Sequence, residues 1–228
     1  MQAIILAGGF GTRLQAVIPD LPKSLAPIQQ RPFLFYLLRY LQIQGITHVI
    51  FALHHMADKI IAYLQTLPTD LSFTYICEQE PMGTGGAIRN ALSFYKDNKP
   101  VFVLNGDTFV KLDYRAMYRV HQQTRLTVAL SEMDNCERYG RILVDNDRVI
   151  AMREKGDASC GWINAGVYLL DPQIFADFPL RKFSFEQDFL PAYITSEQVK
   201  AFLVRDYFID IGIPEDYAKC SSAHCNWF

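Results

Sequence analysis

The 228 residues predict an α/β fold: a parallel sheet covered on both faces, passing into mixed α+β structure in the second half. Three observations carry that prediction. Short apolar runs alternate with segments of helical periodicity up to residue 132. Two of those runs end in turns rich in glycine or acid, Gly8-Gly9-Phe10-Gly11 and Asn105-Gly106-Asp107. From residue 139 onward the spacing changes to closely set strand pairs.

The elements follow in order. Residues 3–7 form an apolar run before glycines, which reads as a buried strand. Residues 33–44 place apolar side chains at 33, 34, 37, 38 and 41 before Gly45, the spacing of a helix with one buried stripe. Residues 48–53 read as a strand, 56–67 as a helix and 73–76 as a short strand. A helix is expected over 84–95 with Thr84 as its N-cap, then a fully apolar strand over 101–104. Residues 113–124 read as helix and 126–132 as strand. Strands over 141–144 and 149–153 flank Asp145-Asn146-Asp147, a hairpin-like turn. Strands over 162–170 and 199–204 and helices over 185–194 and 214–222 complete the chain, the last helix with Pro214 in its first turn. No linker, repeat or low-complexity segment interrupts it, so one domain over 1–228 is expected. The tail over 221–228 is expected to be loosely held, with Trp227 and Phe228 offering a contact.

Half the residues are hydrophobic and 20% are charged, as in an ordinary globular protein. The net charge of -2 gives no basic excess for nucleic acid. The five cysteines are odd in number and scattered, with no zinc spacing, which favours reduced thiols. Residues 1–6 are a short apolar run without a basic flank, and no stretch approaches the ~20 apolar residues of a membrane helix. A soluble cytoplasmic protein is expected, without a nucleic-acid or membrane partner; a homo-oligomer stays open.

Several motifs can carry chemistry. In Gly8-Gly9-Phe10-Gly11-Thr12-Arg13, glycines after a strand let backbone N–H groups approach an anion, and Arg13 adds a planar fork for phosphate oxygens. The spacing is neither the dinucleotide fingerprint nor the Walker loop; the plain alternative is a tight turn with a solvated arginine. Lys23 stands on a stretch stiffened by Pro19, Pro22 and Pro27, a point charge suited to phosphate. Asp107 follows the most apolar strand, at the end where open α/β sheets bind ligands. There it can hold Mg²⁺, which binds through one or two carboxylates plus substrate phosphates, or simply cap a turn. Asp210-Ile211-Gly212 repeats that pattern. Residues 78–87 form a second glycine-rich turn, which can line a base or ribose pocket. Lys155 can hold a second phosphate, and Glu154 and Asn164 can bind hydroxyls. His54-His55 lacks an acid or cysteine at ligand spacing, and no G-x-S-x-G supports a serine nucleophile.

In this order the motifs L-A-G-G-x-G-T-R-L, P-K, G-T-G-G-A, N-G-D, E-K, N-A-G and D-I-G-x-P resemble the nucleotidylyltransferases of sugar 1-phosphates, from Ile4 to Tyr217. The resemblance implies a single Rossmann-like, three-layer α/β domain with a mixed, mostly parallel central sheet. It implies nucleotide binding by Leu6, Ala7, Gly8, Gly9, Gly11, Thr12, Arg13, Glu78, Gly83 and Thr84, with Glu78 at the base. Arg13, Lys23 and Asp107 would be catalytic, and Asp107 and Asp210 would hold Mg²⁺. Gly140, Glu154, Lys155 and Asn164 would bind the sugar phosphate. The family often has Pro after the lysines of P-K and E-K; Ser24 and Gly156 stand there, which predicts looser loops.

The segments Arg31-Pro32-Phe33-Leu34, Phe183-Ser184-Phe185-Glu186-Gln187-Asp188-Phe189 and Phe208 to Tyr217 are similar to those of D-glycero-α-D-manno-heptose 1-phosphate guanylyltransferases. That narrower resemblance implies GTP and a heptose 1-phosphate as partners. Glu78 suits guanine, though a carboxylate also accepts from uracil N3–H. Mannose 1-phosphate guanylyl transfer, N-acetylmuramate 1-phosphate uridylyl transfer and a non-catalytic sugar-nucleotide sensor stay open. A P-loop-like kinase lacks its G-K-[ST].

Overall fold

The computed structural model describes all residues except 123, 154, 155, 157, 158, 177, 223–226 and 228. In chain order the elements are β1 (Gln2–Leu6), β2 (Pro27–Ile28), β3 (Arg31–Pro32), α1 (Phe33–Ile43), β4 (His48–Leu53), α2 (Ala57–Thr66), β5 (Ser72–Cys77), α3 (Gly83–Ser93), β6 (Val101–Asn105), β7 (Thr108–Val110), α4 (Tyr114–Val120), β8 (Leu126–Met133), β9 (Ile142–Asp145), β10 (Arg148–Met152), β11 (Gly161–Leu170), α5 (Leu190–Ser196), β12 (Val199–Val204), β13 (Phe208–Asp210) and α6 (Pro214–Ser222). A 3₁₀ turn spans Lys23–Leu25, and a π-helical turn spans Phe185–Phe189.

The chain gathers into two compact units: Met1–Pro81, Leu104–Lys111 and Tyr207–Phe228 form the first, and Met82–Val103 and Leu112–Asp206 the second. In the first unit β4 pairs in parallel with both β1 and β5, in register from Gln2↔His48 and His48↔Ser72. The alternation of strand and helix predicts this parallel order, because parallel neighbours need a crossover. Ala3, Ile4 and Ile5 of β1 and Val49 and Phe51 of β4 are fully buried, the pattern of strands covered on both faces. A separate two-stranded ladder pairs β13 antiparallel with β7, setting Asp210 opposite Thr108.

Trp227 is only 5% exposed. Its ring stacks on Tyr36 at 4.6 Å and meets Phe33, Phe109 and Tyr207. The tail is therefore anchored at Trp227, against the expectation of a loose end; Phe228 lies outside the described residues.

The sheet of the second unit is mixed. β8 pairs in parallel with β12 and antiparallel with β11, and β10 pairs antiparallel with β9 and β12. The hairpin at residues 145–147 places Asn146 in the left-handed region at φ 55°, which Asn tolerates. Asp113 caps α4 by accepting from the Ala116 N–H at 2.8 Å. Phe175, Phe178, Phe183, Phe185 and Phe189 form an aromatic core, with Phe185 stacked on Phe189 at 5.4 Å. The helix expected over 185–194 divides into the π-helical turn and α5, and Thr84 lies inside α3 rather than capping it. Gly83, at φ +71°, starts the helix one residue earlier.

Candidate active site

The glycine loop leaves β1 directly. The Ala7 N–H donates to the Ala52 carbonyl at 2.9 Å, so β1 stays paired with β4 up to the first glycine. A β-carbon on Gly8 would lie 3.1 Å from the His54 nitrogen, whereas one on Gly9 would meet nothing within 4 Å. Gly8 is thus tightly packed against the His54 backbone, and Gly9 faces open space. Gly11 has φ +69°, and its β-carbon would press on the Lys23 stem at 2.9 Å. The loop closes as a turn, with the Leu14 and Gln15 N–H groups donating to the Gly11 carbonyl at 2.9 and 3.1 Å. Thr12 and Arg13 stand exposed on it.

His54 and His55 brace this loop, a role the sequence did not reveal. The His55 N–H donates to the Gly8 carbonyl, and Phe10 packs edge-on against the His54 ring at 5.5 Å. The His54 Nδ1 is paired with the Glu78 carbonyl at 2.9 Å. Glu78 itself follows β5, half-buried, its N–H donating to the Leu53 carbonyl at 2.8 Å.

Lys23 opens the 3₁₀ turn, which Leu25 N–H to Pro22 carbonyl and Ala26 N–H to Lys23 carbonyl close at 2.8 and 2.9 Å. Ser24 is buried within it. Two hydrogen bonds close the turn, with Ser24 at the position where the family often has proline. At Gly156 the backbone adopts φ +111°, which a proline ring cannot take.

The Lys23 ammonium lies 3.1 Å from Oδ2 of Asp107. Asp107 is brought there by Gly106, whose N–H donates to the Leu6 carbonyl at 2.9 Å; a β-carbon on Gly106 would sit 2.8 Å from that oxygen. The Ile211 N–H donates to the Asp107 carbonyl at 3.0 Å, which sets the Asp210 segment against Asp107. A β-carbon on Gly212 would lie 2.7 Å from Asp210 Oδ1 and 3.4 Å from both Asp107 Oδ2 and Lys23 Nζ. Both carboxylates and the ammonium therefore crowd one small space. Burial raises the Asp210 carboxyl above the usual carboxylate range, and the Asp107 charge raises it further; the Gly212 N–H, Lys23 and Arg13 pull the other way.

The remaining sequence-predicted residues lie in the second unit. β-carbons on Gly83, Gly85 and Gly86 would lie 2.5, 2.1 and 2.7 Å from Phe183 or Arg181 atoms. These glycines admit the 181–183 segment, which leaves no room for their β-carbons. The Thr84 hydroxyl donates to Glu186 at 2.6 Å and accepts from the Phe185 N–H at 2.9 Å. Gly140 is buried at φ +77°. Asn164 lies on β11 and donates from Nδ2 to the Tyr168 hydroxyl at 2.7 Å. Glu154 and Lys155 lie outside the described residues.

A glycine loop at the carboxyl end of a parallel strand, with a lysine and two carboxylates beside it, is the equipment of an enzyme that handles a nucleoside triphosphate. The chain belongs to the nucleotidyl transferase family, whose model matches residues 2–226. It is 45% identical over 222 residues to a D-glycero-alpha-D-manno-heptose 1-phosphate guanylyltransferase of Aneurinibacillus thermoaerophilus, covering 96% of each chain. It is 44% identical over 219 residues to the protein of the same name from Campylobacter jejuni, covering 95% of this chain and 97% of that one. A solved structure of HddC from Yersinia pseudotuberculosis, complexed with GMP-PN, superposes with a TM-score of 0.88 at 42% identity, covering 96% of this chain and 97% of that one. Among the described residues, no helix is long and apolar enough to cross a membrane.

Proposed function

We propose that this enzyme transfers a guanylyl group from GTP to D-glycero-α-D-manno-heptose 1-phosphate, giving GDP-heptose and pyrophosphate. One oxygen of the sugar phosphate attacks the α-phosphorus. The bond from that phosphorus to the oxygen bridging to the β-phosphorus breaks, and pyrophosphate leaves with the electron pair. The nucleophile is already an anion, so no strong base is needed, and the protein's task is positioning and charge neutralisation. The observation that carries this reading is the convergence of Lys23, Asp107 and Asp210 in one small space.

In this reading Gly8, Gly9 and Gly11 offer backbone N–H groups to the triphosphate, and Arg13 neutralises the departing pyrophosphate. Lys23 approaches the reacting phosphates, and Glu78 accepts from the base. Asp107 and Asp210 fit a Mg²⁺ site. Among the described residues no cluster of three or more His, Cys, Asp or Glu side chains can hold a metal. Two carboxylates completed by substrate phosphates match the ligand set Mg²⁺ prefers. When bound there, Mg²⁺ would supply positive charge beside the α-phosphate. Gly140, Glu154, Lys155 and Asn164 are assigned to the sugar phosphate. The family match runs through both units, which supports reading residues 1–228 as one catalytic domain. The cytoplasm, where GTP is held, is the expected compartment.

The test is pyrophosphate release across four nucleoside triphosphates and a panel of sugar 1-phosphates that includes the heptose and mannose esters. Turnover is expected with GTP and the heptose ester. Turnover of UTP but not GTP would overturn guanylyl transfer, and preference for mannose 1-phosphate would overturn the sugar assignment.

A further inference from the structure

The segment Phe183-Ser184-Phe185-Glu186-Gln187-Asp188-Phe189 distinguishes this chain's nearer resemblance, yet none of its residues is assigned to a substrate above. Its side chains hold their own turn. The Ser184 hydroxyl accepts from the Gln187 N–H at 3.1 Å, and the Asp188 carboxylate accepts from the Ser184 N–H at 2.7 Å. Between them the backbone forms the π-helical turn Phe185–Phe189, a local irregularity found often at functional sites.

Glu186 projects from this turn into a chain of hydrogen bonds. Its Oε2 accepts from the Thr84 hydroxyl at 2.6 Å and from the Ser184 hydroxyl at 3.4 Å, and its Oε1 accepts from the Tyr168 hydroxyl at 3.2 Å. The fully buried Tyr168 in turn accepts from Asn164 Nδ2 at 2.7 Å. The Asn164 Oδ1 accepts from the Gly166 N–H at 3.0 Å.

The direction of every bond follows from the carboxylate. An ionised carboxylate only accepts, so Tyr168 must donate to it. The Tyr168 oxygen is then left as an acceptor, and the Asn164 group facing it must be the NH₂. The Asn164 carbonyl therefore faces Gly166, and the amide cannot flip without breaking two bonds. Burial raises the Tyr168 hydroxyl well above the usual phenol range, and the Glu186 charge raises it further, so the relaying proton stays in place.

We propose that Glu186 is a positioning residue for sugar recognition: acting through Tyr168, it fixes which way the Asn164 amide presents its remaining N–H and carbonyl lone pair to a ring hydroxyl of the sugar 1-phosphate. The proposal rests on the assignment of Asn164 to the sugar. A glutamine at 186 cannot accept from all three hydroxyls at once. Whichever way its amide lies, a hydroxyl loses its acceptor, and the Asn164 orientation loses one of its two supports.

The test is steady-state kinetics with GTP and heptose 1-phosphate on Glu186→Gln, Tyr168→Phe, Asn164→Ala and the double variant Glu186→Gln with Asn164→Ala. Thermal melting checks that each variant folds. Each single change is expected to raise KM for the sugar phosphate about tenfold, the worth of one hydrogen bond, with kcat little altered; in Tyr168→Phe and Asn164→Ala, which leave the Thr84–Glu186 bond in place, KM for GTP stays as in the parent. The double variant should be no worse than Asn164→Ala alone, because Glu186 acts through Asn164. Additive losses, or an equal rise in KM for GTP in Tyr168→Phe, would overturn the proposal while leaving the sugar assignment of Asn164 intact. An unchanged sugar KM in Asn164→Ala would overturn that assignment and the proposal with it. Should Glu186→Gln fail to fold, Tyr168→Phe decides, since it cuts the link and keeps the carboxylate.

Discussion

The Lys23 ammonium and the Asp107 carboxylate meet at 3.1 Å, each largely shielded from solvent. The pair places a positive charge beside the two carboxylates of Asp107 and Asp210. Lys23→Ala and Asp107→Ala are each expected to fold and to lose about 10²–10³ in rate, the usual cost of a lost preorganised charge contact. Pyrophosphate release under saturating substrates measures this. A near-normal rate in either variant would remove that residue from the mechanism.

The loop glycines separate packing from ligand approach. Gly11→Ala forces a side chain into φ +69° and against the Lys23 stem, and should destabilise the fold by about 1–2 kcal/mol. Gly9→Ala meets nothing within 4 Å, so its melting temperature should not change. If the Gly9 backbone approaches the triphosphate, Gly9→Ala raises KM for GTP in a protein of native stability. Unchanged GTP binding would show that Gly9 is a spacer.

His121 gives a pH dependence of stability. It is buried, paired through Nδ1 with the Thr127 hydroxyl at 2.8 Å, and burial lowers its pKa to about 4, with Asp171 opposing. The unfolded chain, titrating near the ordinary histidine value of about 6.5, binds this proton more readily than the folded one. Its contribution is therefore complete above pH 6.5 and is lost as pH falls toward 4, a change of order 3 kcal/mol. Urea unfolding at several pH values should show that slope. His121→Asn, which keeps a polar group near Thr127 but does not titrate, should flatten it.

Trp227 ties the end of the chain to α1 and to the β7–β13 ladder through Tyr36, Phe33, Phe109 and Tyr207. Trp227→Ala should cost about 3–5 kcal/mol, as for other large aromatic truncations in a core. Trp227→Phe should cost much less: it keeps an aromatic ring and removes a buried indole N–H that has no partner among the described residues. Denaturant midpoints of the two variants distinguish a packed anchor from a loosely resting ring.

Much of this was legible in the sequence for a physical reason. The apolar runs that became β1, β4 and β6 are local signals, and so is the acid after β6 that became Asp107. The β7–β13 ladder was not legible as such, since its strands have three residues each and find one another only through the fold. The glycines at 83, 85 and 86 were legible as a turn that can line a base or ribose pocket, but not their packing, since the Phe183 and Arg181 atoms that leave no room for β-carbons come from a distant part of the sequence. The bracing by His54 and His55 left no trace, because its partners, the Gly8 and Glu78 carbonyls and the Phe10 ring, meet the two histidines only through the fold. The Glu186 chain was hidden because its hydroxyl partners are common residues at ordinary positions.

The distance in sequence between Asp107 and Asp210 has a consequence for the life of the chain. A ribosome releases the N-terminal loop, Lys23 and the first carboxylate long before the second carboxylate exists. In the proposed mechanism, a nascent chain that has not reached residue 210 lacks the paired acids and cannot begin consuming nucleotide.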